Sequence, residues 1–239
     1  MGRSIRRLLM WDVDGTLVRA GDLGAAVFDV ALEAVLGLRP AVQVRMSGKT
    51  DPQIVREYLE KLEVEDDDET VHRILDGIQE RLAAAAAAGD LAAGGHACPG
   101  VPDVLAELSK DDRLLSTLVT GNVVANARLK VAAWGLDAWF DMDVGAYGSD
   151  HADRNQLVPL ALGRVHESYG VRLAPSDAWV IGDTPRDLEC ARSAGARCLL
   201  VGTGRYTATD LAALGADAVL EDLSDTTGVV EILTGDLDL

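Results

Sequence analysis

Positive charge is scarce in this chain. Lysine and arginine together number 22 against 39 aspartates and glutamates, the formal charge is -17, and only Lys49, Lys61, Lys110 and Lys130 are lysines. A nucleic-acid footprint needs a basic face, so no nucleic acid is expected and the expected partners are small molecules. Long apolar runs are missing too. No stretch approaches membrane-spanning length, and the run behind Arg3, Arg6 and Arg7 is too short for a signal segment and is interrupted by Asp12, so no membrane is expected as a partner. Cys98, Cys190 and Cys198 are odd in number and lack CxxC spacing, which reads as reduced thiols in a cytoplasmic protein. The histidines offer no pair with metal-ligand spacing, although His151 falls near Arg154.

What the chain does have is a pair of carboxylates, Asp12 and Asp14, at the end of the apolar run Leu8-Leu9-Met10-Trp11 and followed by Gly15-Thr16. Two such groups one residue apart repel unless a cation or a proton lies between them. A hard divalent ion such as Mg²⁺ suits oxygen ligands, and an acidic turn that merely ends a strand suits the isolated pair equally well. The rest of the chain decides between them.

At 239 residues the chain can bury one core, or a core with a smaller insert. Apolar runs at Leu8–Trp11, Leu114–Val119, Met142–Val144, Ala178–Ile181, Cys198–Val201 and Ala218–Leu220 predict strands covered on both faces. Helices are predicted between them over Pro102–Leu108, Val123–Trp134, Arg154–Tyr169, Pro185–Ala194 and Thr207–Leu214, which makes a doubly wound α/β core with a parallel sheet. Residues 18–95 read as helix almost throughout, with segments Leu23–Leu36, Pro52–Leu62 and Glu69–Ala88 and with Asp51 as an N-cap. Such a block is too long for one crossover. It predicts an α-helical cap domain inserted after the first strand, with 1–17 and 96–239 as the core, and Gly89-Asp90 and Gly94-Gly95 as either a hinge or a surface linker.

Ligands of an open parallel sheet bind beyond the carboxyl ends of its strands. Asp12 and Asp14 follow the first predicted strand, Thr120-Gly121-Asn122 the second, and Gly182-Asp183-Thr184-Pro185-Arg186-Asp187 a later one. Thr120 with the backbone N–H groups of Gly121 and Asn122 reads as an anion cradle or as an ordinary helix cap. Asp183 can complete a metal site from a second strand, while Asp187 suits the helix dipole as well as a supporting metal role. A transferring phosphoryl group also needs a fixed cation. Arg128 and Lys130 fall inside a helix, Arg164 and Arg172 near the far end of another, and Arg154 at the start of a helix on the aspartate rim. Arg154 is the better placed, with a solvated pair to Asp153 or Asp150 as the alternative. In the insert, Lys49 and Arg45 are candidates for a second anionic group, although Gly48-Lys49-Thr50 is not a P-loop, since Gln43 stands where the earlier glycine belongs.

Taken together, Asp12-Val13-Asp14-Gly15-Thr16, Thr120-Gly121-Asn122, Arg154 and Gly182-Asp183-Thr184-Pro185-Arg186-Asp187 resemble the haloacid dehalogenase superfamily of hydrolases, in a phosphatase branch with a helical cap similar to phosphoglycolate phosphatases. The resemblance covers nearly the whole chain and departs from the commonest pattern in offering Arg154 where that family usually has lysine. It implies a Rossmann-like fold and a Mg²⁺-dependent phosphatase acting on a small phosphomonoester. Asp12 is then the nucleophile that forms an aspartyl-phosphate, and Asp14 protonates the leaving alcohol and later activates water. Mg²⁺ is held by the Asp12 carboxylate, the Asp14 backbone carbonyl and Asp183, with Asp187 in support, while Thr120, Asn122 and Arg154 hold the phosphoryl oxygens. A sugar-phosphate mutase of the same superfamily is the nearest alternative, and a phospho-acceptor signalling module a more distant one. The substrate and the oligomeric state are not legible.

Overall fold

In the computed structural model, residues 4–235 and 237 are described. The chain enters as strand β1 (Arg7–Trp11), turns through β2 (Val18–Arg19) and leaves the sheet as helices α1 (Leu23–Leu36), α2 (Asp51–Lys61), α3 (Asp68–Ala88) and α4 (Asp90–Gly94). It returns as β3 (His96–Ala97) and then alternates α5 (Val101–Leu108), β4 (Leu114–Thr120), α6 (Val124–Ala133), β5 (Ala146–Tyr147) and α7 (Leu157–Tyr169). The last stretch is β6 (Ala178–Gly182), α8 (Pro185–Ala194), β7 (Arg197–Val201), α9 (Ala208–Ala212), β8 (Ala218–Leu220) and α10 (Thr226–Thr234).

Six of the eight described strands form one sheet in the order β5-β4-β1-β6-β7-β8, with parallel pairing throughout it. Every residue of β1 is buried, and the strand period of two sends its side chains to opposite faces. Leu9 and Trp11 join one apolar cluster, with Val104 of α5 and Val229 of α10, whereas Leu8 and Met10 join another, with Val158 of α7 and Leu188 of α8. Helices therefore cover both faces. The chain runs outward from β1 in both directions, through β4 and through β6, which puts a switch point at the carboxyl end of β1.

Helices α1 to α3 close around a cluster of their own, in which Phe28, Leu32, Ile54, Leu59, Ile74 and Ile78 are buried. The exit from the sheet and the return to it pair as β2 and β3, Val18 with Ala97 and Arg19 with His96. The glycines beside that pairing answer to close backbone approach. A Cβ on Gly21 would lie 2.2 Å from the Gly94 carbonyl oxygen, and one on Gly95 would lie 2.1 Å from that of Arg19.

Three expectations are corrected. Met142–Val144 is a turn and the edge strand lies at Ala146–Tyr147, because the Asp141 carboxylate accepts the Asp143 N–H (3.0 Å) and the Tyr147 hydroxyl donates back to the Met142 carbonyl (2.7 Å). Arg154–Gln156 forms a 3-10 turn and the α-helix begins only at Leu157. Thr50, not Asp51, caps α2, its backbone extended and its hydroxyl accepting the Gln53 N–H (3.3 Å).

Candidate active site

Asp12, Thr120 and Asp183 stand at the carboxyl ends of the neighbouring strands β1, β4 and β6, and all three are buried. The backbone N–H of Asp12 is fixed by the Ile181 carbonyl (2.9 Å). Asp187 reaches the same point from the first turn of α8. Its Oδ2 accepts the Thr184 N–H (3.0 Å) and hydroxyl (2.7 Å), a reciprocal cap that aims the side chain back at the sheet. Gly182 is what lets it in: a Cβ there would lie 2.1 Å from Asp187 Cγ.

Carboxylate oxygens of Asp12, Asp183 and Asp187 lie within 4.8 Å of one another. Burial, more than any neighbour, raises the Asp12 carboxyl to about 6, with Arg154 pulling it down and Asp187 pushing it up. Asp183 is raised well above the usual carboxylate range, again by burial first and then by Asp187 and Asp12. Asp12 and Asp183 ionise more readily if a further cation joins them. Hard oxygen donors converging from two strands and a helix fit a hard divalent cation. Arg154 is the protein's own counter-charge. It is 4% exposed, and its Nη2 donates to Asp187 Oδ1 (2.5 Å) and lies 3.1 Å from Asp12 Oδ1. Its Nε is buried and has no hydrogen-bond partner among the described residues.

Asp14 is built differently. Its side chain is 46% exposed, and its carboxylate lies outside the three-aspartate cluster. Oδ2 accepts from Asn122 Nδ2 (2.8 Å) and from Lys130 Nζ (2.6 Å), and Asn122 Nδ2 also reaches Thr120 Oγ1 (2.9 Å). Lys130 falls inside a helix in the sequence, a position that ranked it behind Arg154. A helical Cβ leans toward the helix N-terminus, so a four-carbon stem in the second turn of α6 reaches back to the site. Position along the helix hid it.

The expected anion cradle is shared with the insert. The Asn122 N–H turns to Thr120 Oγ1 (3.4 Å), while the next one, Val123 N–H, is taken by the Asp51 carboxylate (2.9 Å), which also accepts from Asn126 Nδ2 (3.3 Å). Burial raises the Asp51 carboxyl, and the Lys130 charge lowers it less. The same loop is pinned by Thr50 Oγ1 to the Ala152 carbonyl (2.8 Å) and by Asp51 N–H to the Gly121 carbonyl (2.7 Å). Lys49 lines the cleft but is ion-paired with Glu57, and Arg45 is exposed and outside the lining. His151 is exposed and does not line it either. The cleft between sheet and insert holds about 560 Å³, with Asp12, Asp14, Thr120, Lys130 and Arg154 on one wall and Phe28, Met46 and Ile54 on the other.

The structure is similar to that of CbbY from Rhodobacter sphaeroides, solved in complex with phosphate, with a TM-score of 0.72 and 22% identity over 92% of this chain and 96% of that one. It is also similar to a predicted phosphoglycolate phosphatase from Haemophilus somnus 129PT, with a TM-score of 0.66 and 19% identity over 95% of this chain and 98% of that one. A family model described as HAD-hydrolase-like matches residues 155–226. The chain has the fold of the haloacid dehalogenase superfamily. With that fold, the aspartates beyond β1 and β6 occupy the crevice at its switch point. Among curated proteins, the probable phosphatase IndB of Dickeya dadantii (strain 3937) is 29% identical over 136 residues, which is 56% of this chain and 56% of that protein. The chain thus spans little more than half the length of that curated relative. No helix among the described residues is long and apolar enough to cross a membrane.

Proposed function

We propose that the protein is a Mg²⁺-dependent phosphatase that hydrolyses a small phosphomonoester through an aspartyl-phosphate on Asp12, with residues 1–17 and 96–239 as the catalytic core and 18–95 as its cap. The observation that carries this reading is the convergence of Asp12, Asp183 and Asp187 within 4.8 Å around the buried Arg154. Asp12, Asp183 and Asp187 would hold the ion, and the Asp14 side chain would not. Mg²⁺ bound there supplies neutralisation of phosphoryl charge, without which a carboxylate approaching an anionic ester is repelled.

The protein's own groups do the rest. Arg154 orients Asp12, and Arg154 and Thr120, which both line the cleft, are the donors to the phosphoryl oxygens. An Asp12 oxygen bonds to phosphorus as the ester oxygen departs, and Asp14 delivers a proton to that oxygen. In the second half Asp14 takes a proton from the water that attacks phosphorus, and Asp12 is released. The insert narrows the cleft around the leaving group.

The test is a panel of small phosphomonoesters and sugar phosphates, with and without Mg²⁺, followed by acid quenching and peptide mapping. Mg²⁺-dependent phosphate release and a phosphoryl adduct on the Asp12 peptide are expected. Turnover with no such adduct overturns the nucleophile, and isomerised sugar phosphate without net phosphate release replaces the phosphatase with a mutase.

A further inference from the structure

Lys130 is only 8% exposed, yet its charge is not spent on the surface. Nζ lies 2.6 Å from Asp14 Oδ2 and 2.7 Å from Asn122 Oδ1, and it lines the cleft. A buried ammonium is costly unless paired, and charge-assisted bonds of this length are among the strong ones. The pairing is lopsided in a useful way. Both side-chain hydrogen bonds that Asp14 accepts among the described residues fall on Oδ2, one from Lys130 and one from Asn122 (2.8 Å). Oδ1 has no described protein partner.

We propose that Lys130 is a positioning residue for proton transfer: it clamps Oδ2 of Asp14 so that Oδ1 is held as the oxygen that passes a proton to and from the reacting group. The proposal rests on the phosphatase reading and adds a division of labour inside the acid–base carboxylate. A half-exposed aspartate free to rotate presents either oxygen in many poses, whereas one anchored at Oδ2 from the helix behind it presents the other in few. In the first half-reaction the bond from phosphorus to the alcohol oxygen breaks as the Asp12–phosphorus bond forms, and the proton on Oδ1 moves to the alcohol oxygen. In the second, the carboxylate takes a proton from water as the water oxygen bonds to phosphorus and the Asp12–phosphorus bond breaks. Asn122 is the second jaw of the clamp. Asp51, reaching α6 from the insert, lies near enough for the Lys130 charge to act on its carboxyl.

The experiment compares an alkyl phosphate, whose alkoxide must be protonated as it leaves, with p-nitrophenyl phosphate, whose phenolate departs as a stable anion. The quantity read is kcat/KM with Mg²⁺, because it ends at departure of the leaving group and is blind to the shared dephosphorylation step. Lys130→Met keeps the bulk of the stem. A general acid contributes about 10²–10⁴-fold, so losing its alignment should lower kcat/KM by at least about 30-fold on the alkyl ester and by no more than about 3-fold on the aryl ester. Equal losses on both esters mean a structural role and overturn the proposal, as does the absence of loss on either. Lys130→Gln, which keeps a donor without the charge, supplies the same ratio if the methionine variant does not fold. A wild-type protein inert toward both esters overturns the phosphatase reading first, and the role of Lys130 falls with it.

Discussion

Asp12 and Asp14 are separated by one residue, but their side chains are 6% and 46% exposed, and the two sides of the site they face are built on opposite principles. On the Asp12 side, three carboxylates and one guanidinium are packed out of water, and burial first, then neighbouring charge, raises the carboxyls of Asp12 and Asp183. On the Asp14 side, a carboxylate stands at the edge of a cleft and is steadied by an ammonium and an amide. Paired carboxylates whose surroundings differ this much are suited to different tasks, one to charge and covalency and the other to proton movement. The difference arises from strand geometry. Asp12 directly follows β1 at the sheet rim, while Asp14 lies further on, in the turn where Gly15 N–H bonds to the Val18 carbonyl (2.8 Å).

The sharpest way to break the comparison is to make the two aspartates equivalent. Asp12→Asn should abolish turnover by on the order of 10⁴-fold or more on every ester, activated or not, because the proposed nucleophile serves both half-reactions. Asp14→Asn should spare aryl esters in the first half-reaction. Rapid-quench measurement of phosphoprotein separates them: no adduct for the first variant, and accumulated adduct for the second.

Removing the cation of the buried side should cost next most. Arg154→Met leaves Asp12 and Asp187 facing each other without compensation, and breaking a buried pair of this kind costs about 3–5 kcal/mol. Urea unfolding should register that loss in the absence of Mg²⁺ and a smaller one in its presence. If the variant is as stable as the wild type without metal, the carboxylates there are not ionised and the electrostatic account of the buried side is wrong.

The raised carboxyls make stability depend on pH in a definite direction. Asp12 goes from 3.8 to about 6 on folding, so the protonated form is favoured in the native state. That contribution is full below about pH 4 and is lost as pH rises through about 6, and Asp183 shifts the same way. Metal-free protein should therefore lose part of its stability between pH 5 and 7.5. On the proposed function the ionised cluster is the form that takes Mg²⁺, so the ion should raise Tm more at pH 7.5 than at pH 5. A Mg²⁺ effect of the same size at both values would remove the link between the cluster and the ion.

The buried side was the more legible of the two in sequence, since carboxylates directly after apolar runs announce themselves. Asp12, Asp183 and Asp187 needed only strand ends and one helix start, and Arg154 was reached by asking which cation shares that rim. The β4–β5 edge was not legible, because Met142 and Val144 are apolar and buried yet belong to an Asx turn. Lys130 escaped because helical position gives the end of a helix and not the reach of a long stem. Asp51 was not legible because a carboxylate before Pro52 reads as a cap, whereas Thr50 takes that place and releases the carboxylate toward the core.

That release ties the open side to the insert, and it yields the smallest effect. Asp51→Asn keeps an oxygen for the Val123 N–H and removes a charge that burial disfavours, so stability should change by less than about 1 kcal/mol. Asp51→Ala orphans that N–H beneath the insert and should cost about 1–3 kcal/mol. Thermal melts of the two variants give the comparison directly. If asparagine is as damaging as alanine, the charge itself holds the insert to α6, through the longer-range pull of Lys130 on Asp51.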